Sequence, residues 1–98
     1  MKRVIWAEAA INDLHAIEDY LTETYSSAFA RHVIKSLIAT ANWLLLHPHG
    51  GERLAFDGWR KWRPRKSRHV LVYRIVEDGI EVLRVRHERS DWRPVPKD

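Results

Sequence analysis

The chain has 98 residues, no cysteine and a formal net charge of +4. That length holds one domain with a modest core, so residues 1–98 are read as a single unit. The lack of cysteine excludes disulfides and thiolate metal sites. No apolar run approaches the ~20 residues of a membrane-spanning helix, and Glu8 and Asp13 follow too soon after the start for a secretory leader. The expected location is the cytoplasm, with no membrane partner.

Charge is distributed unevenly. Residues 1–58 set Lys2, Arg3, Arg31, Lys35 and Arg53 against Glu8, Asp13, Glu18, Asp19, Glu23, Glu52 and Asp57, so the excess positive charge lies in residues 59–98. A one-sided basic field draws polyanions or acidic proteins without saying which.

In chain order, KRVIW reads as an edge or entry strand. From Ala7 the period becomes helical: Ala10, Ile11, Leu14, Ile17 and Leu21 form one stripe, and Asn12, Asp13, Glu18 and Asp19 take the other face. Glu8 suits the first turn of a helix over 8–24. Ser26 or Ser27 is a candidate N-cap for a second helix over 27–46. Its stripe is Ala30, Val33, Ile34, Leu37, Ala41, Leu44 and Leu45, widened by Ile38 and Trp43, which implies packing against more than one neighbour. Pro48 and Gly50–Gly51 stop it, and the short link between the helices makes an antiparallel hairpin.

After Gly51 the period falls to two. RLAF and WRKWR read as strands, and HVLVYRIV (69–76) as a stronger one. Gly79 turns the chain into IEVLRVRH (80–87), its antiparallel partner. Pro94 and Pro96 break the pattern beyond. The predicted fold is α+β: an N-terminal strand and a helical hairpin packed on a sheet of 3–4 mainly antiparallel strands. Val70, Val72 and Val76 lie on one side of their strand, and Leu71, Tyr73 and Ile75 on the other. Such a strand is covered on both faces, the second either by a partner segment or by the C-terminal tail.

The residues that carry this pattern resemble the ParE branch of the RelE/ParE toxin superfamily of toxin–antitoxin systems. The likeness rests on Ala10, Asp13, Leu14, Ile17, Tyr20 and Leu21, on His47, Pro48 and Gly51, on VLVYRI at 70–75 and on IEVLRVRHERSDW at 80–92. It implies the same hairpin-on-sheet fold and a ParD-like antitoxin that wraps the toxin. ParE-like members inhibit DNA gyrase and are not enzymes. RelE-like members are ribosome-dependent mRNA endoribonucleases, and their strand opens with an arginine where this chain has Val70. They also carry a late tyrosine, where this chain has Trp92, whose indole has no ionisable hydroxyl. The resemblance therefore favours a gyrase inhibitor over a nuclease.

Three sets of residues are candidates for function. His69, His87 and Arg89 would supply acid, base and cation if the chain were a nuclease, because antiparallel pairing brings the two histidines together. Arg60, Arg63, Arg65 and Arg68, interleaved with Trp59 and Trp62, fit a dock for an acidic antitoxin, with Arg89 and Trp92 as further anchors. The same block also fits a non-enzymatic nucleic-acid-binding surface, or a solvated strand edge; the protein dock is preferred. His47 and His49 flank a proline without a third ligand at metal spacing, and neither a metal nor a cofactor is expected.

Overall fold

Strand β1 (Arg3–Trp6) leads directly into helix α1 (Glu8–Thr24) in the computed structural model, which describes residues 2–55 and 57–88. Helix α2 (Ser27–Leu46) follows, then a single 3-10 turn (Pro48–Gly50) and strands β2 (Glu52–Arg53), β3 (Trp59–Trp62), β4 (His69–Val76) and β5 (Gly79–His87). Both helices occupy the spans that the apolar spacing predicts. The Ser26 hydroxyl caps α2 by accepting the Phe29 N–H at 3.0 Å. Among the described residues no helix is long and apolar enough to cross a membrane.

The sheet has five strands in the order β1-β5-β4-β3-β2, against the three or four expected. The count rises because the N-terminal strand joins the sheet, parallel to β5 with Arg3 opposite Gly79, and because Glu52–Arg53 add a two-residue edge. The other neighbours are antiparallel. Of the described residues of RLAF only Arg53 lies in a strand, and WRKWR stops at Trp62. Gly79 has φ 141°, and a Cβ there would collide with the Arg3 backbone, so only glycine lets β1 lie this close.

The helices lie on one face of the sheet. Leu71 and Tyr73 of β4 and Ile80, Val82 and Val85 of β5 pack with Ala10, Leu37, Ala41 and Leu44 into one core. Alternation along β5 would send Val82 and Val85 to opposite faces. A register shift opposite Val72/Tyr73 pairs Leu71 with Val85 but Tyr73 with Val82, and that extra residue turns both valines inward. α2 touches α1, β1 and β5, as its wide stripe implies. Trp43 stacks on Trp62 with ring centroids 5.0 Å apart but, like Ile11 and Ile38 of the predicted stripes, stays exposed. Val70 and Val72, on the other face, are also buried, so that face is already closed to solvent at these two positions. The C-terminal tail from Arg89, one of the two expected covers, lies outside the described residues.

Candidate functional site

The start of β4 and the end of β5 meet beside the closed end of the helical hairpin, and the candidate residues gather there. His69 and His87 are direct cross-strand partners. Their rings stand nearly perpendicular at 5.9 Å between centroids. His69 is half-buried; loss of solvation, then repulsion from His87, pushes its pKa below the ordinary imidazole value against a pull from Glu88. Neighbouring Val70 is buried, so no cation stands where the nuclease branch would place an arginine.

The basic residues do not form one patch. Arg60 is opposite Tyr73, on the helix side, and its Nη1 donates to the Gly51 carbonyl at 2.9 Å. Arg63 donates to the Ser67 carbonyl at 3.0 Å and lies 3.6 Å from Glu88. Arg68 lies 3.7 Å from the same carboxylate and is well exposed. Arg65 is exposed on the turn between β3 and β4. Trp62 is partly buried, its ring stacked on the exposed Trp43, and does not stand among the arginines as an open ring. Arg89 and Trp92, the remaining anchor candidates, lie outside the described residues.

That turn is braced from within. Ser67 N–H donates to the Pro64 carbonyl at 3.0 Å, and the Ser67 hydroxyl accepts the His69 N–H at 3.0 Å. Lys66 is held at φ 64°, a left-handed conformation that costs a non-glycine residue energy. Arg65, Lys66 and Arg68 are thereby presented together over a groove. One end is a cavity of about 460 Å³ walled by Ala16, Ile17, Tyr20 and Val85, with His87 at its edge. The other is a cavity of about 450 Å³ that adds Phe29, His32 and Val33. Leu21, Tyr25, Arg68 and His69 line both. The aromatic wall escapes a sequence reading: Tyr20 counts there only among the residues that carry the family resemblance, and Tyr25 is given no role. Both stand about two-thirds exposed, at 63% and 65%.

Two further arrangements hold these elements in place. Asp13 of α1 accepts three hydrogen bonds from β5: Arg84 Nε at 2.8 Å, Arg84 Nη2 at 3.0 Å and the Val85 N–H at 2.9 Å. β1 pairs only with the first half of β5, and Asp13 satisfies the β5 edge beyond it. The bond to Asp13 pushes the Arg84 pKa up. Buried Tyr73 ties the helix stop to the sheet, donating to the Pro48 carbonyl at 2.7 Å and accepting the Gly51 N–H at 2.9 Å. A Cβ on Gly51 would strike both the Tyr73 ring and the Lys61 carbonyl.

His47 ends α2, its ring stacked on Trp43 at 4.4 Å, and His49 Nδ1 lies 3.4 Å from Arg60 Nη2. Among the described residues no three His, Cys, Asp or Glu side chains stand close enough to hold a metal ion.

Comparison with known proteins agrees with this arrangement. The family model described as "ParE toxin of type II toxin-antitoxin system, parDE" matches residues 4–92. A solved structure from P. aeruginosa, of a chromosomal ParDE toxin–antitoxin system, superposes with a TM-score of 0.77. It is 20% identical, and the match covers 89% of this chain and 96% of the other, which establishes the shared fold. A search of curated proteins gives no match. With the hairpin, the mixed sheet and the family match in agreement over nearly its whole length, the chain belongs to the ParE toxin family of type II toxin–antitoxin systems.

Proposed function

We propose that this chain is a toxin that inhibits DNA gyrase in the cytoplasm without enzymatic activity of its own, and that a ParD-like antitoxin neutralises it by direct binding. Family membership supports the toxin and its partner. The observation that favours gyrase over the ribosome is the buried Val70 beside the histidine pair. A phosphorane intermediate needs a cation fixed beside the acid and base, and Val70 supplies none.

Two assays on the purified chain test the reading. Gyrase supercoiling should be lost, and mRNA on translating ribosomes should stay intact. A second reading, the ribosome-dependent endoribonuclease, is favoured by one observation, the facing pair His69 and His87. Cleavage at defined codons with normal supercoiling would replace the gyrase reading and make His69, His87 and Arg89 the catalytic candidates.

A further inference from the structure

We propose that the groove between the closed end of the helical hairpin and the β3–β4 turn binds a nucleotide, its phosphate on Arg65, Lys66 and Arg68 and its base against Tyr25. This does not depend on which toxin mechanism holds.

The groove has two chemically different walls. The β3–β4 turn side is cationic, and the helix side is mainly aromatic and aliphatic, with His32 and Ser36 its polar members. Among the described residues, no carboxylate lines either cavity. A ligand that satisfies both walls carries an anion at one end and a flat apolar surface at the other. The three cations are concentrated in one short turn. An acidic peptide distributes single charges along its length, whereas a phosphate offers several acceptor oxygens at one point. Clustered cations therefore fit the phosphate.

The turn is also prepared for the task. The Pro64–Ser67 and Ser67–His69 hydrogen bonds and the left-handed Lys66 fix it before any ligand arrives, which lowers the ordering cost of binding. Among the described residues the Arg68 guanidinium pairs with Glu88, at 3.7 Å and largely in solvent, and such a pair exchanges readily for a phosphate. On the opposite wall Tyr25 meets Phe29 edge-on at 5.2 Å between centroids, leaving ring surface open for stacking. Either cavity, at about 460 or 450 Å³, is of the size that small ligands occupy.

The free nucleotide and the end of a single strand present the same chemistry. The test uses the full chain at low salt, with adenosine monophosphate, inorganic phosphate, and a single-stranded deoxyadenylate oligomer bearing a terminal phosphate. Binding is read by calorimetry and by perturbation of tyrosine signals. Adenosine monophosphate should bind saturably, and Arg68→Glu should weaken it about tenfold or more. Tyr25→Ala should weaken the nucleotide but leave inorganic phosphate unchanged, and both variants should keep the wild-type circular dichroism. A strand that binds much more tightly than the monophosphate identifies single strands as the source, and equal affinity identifies the free nucleotide. No saturable binding of either would overturn the proposal. So would nucleotide binding indifferent to Tyr25→Ala, which would reduce the groove to a general anion patch.

Discussion

Removing the Asp13 carboxylate strands three donors at once, one of them the backbone N–H of Val85. Arg84 is partly exposed and water can recover its charge, so most of the loss comes from the Val85 N–H and the α1–β5 contact. Asp13→Ala should lower the unfolding free energy by about 2 kcal/mol in urea titration, and Asp13→Asn, which keeps one acceptor, by less. A change within error for Asp13→Ala would refute the clamp. The sequence puts Asp13 on the polar face of its helix and in a family motif, but not opposite Arg84: a partner 71 residues away depends on sheet register, which local pattern does not encode. His69 gives a pH prediction. Its folded pKa is depressed, so above about 6.5 it is neutral in both states and no stability is lost. As pH falls through that value the unfolded chain takes up a proton that the folded chain refuses, and stability declines until the folded pKa is passed. Between pH 7.5 and 5.5 the urea midpoint of the wild type should therefore fall more than that of His69→Gln. Parallel profiles would assign the pH dependence elsewhere.

The turn between β3 and β4 concentrates positive charge at one end of the sheet, and charge of this kind acts mainly on the rate of encounter. The double reversal Arg63→Glu/Arg65→Glu should slow association with the antitoxin roughly tenfold at low salt, with the gap closing as ionic strength rises. Rates from stopped-flow mixing that coincide at every salt concentration would remove these residues from the encounter. Arg60 is left out because its partly buried guanidinium holds the loop through Gly51, whereas the Arg63 bond to Ser67 is exposed and water can replace it. The helices were legible to the residue because each carries an apolar stripe, with a cap at Ser26 between them and a clear stop for α2 at Pro48. β2 was not, since two residues hold no periodicity and exist as a strand only through pairing with Arg60 and Lys61. The tryptophans misled for a related reason. Period two places Trp62 in a strand, but only the packing of α2 shows that its ring lies against Trp43.

At the scale of the molecule, class and element order were legible because periodicity changes sharply at Gly51. Strand order was not: the short apolar centre of KRVIW marks a strand without naming its neighbour, which is β5 at the far end of the described chain. The site divides the same way. The meeting of His69 with His87 follows from the hairpin turn, whereas the groove arises from the approach of the α1–α2 link to the β3–β4 turn, a tertiary event. The parallel pairing of β1 with β5 also sets a timetable for synthesis. On a ribosome β1 emerges first and finds no partner until β5 has followed it, while the helical hairpin needs only local contacts and can close early. The sheet is thus completed by the joining of its earliest strand to its latest described one. Every surface that rests on that join, the Gly79 end of the sheet above all, is assembled only when translation has passed the first half of β5.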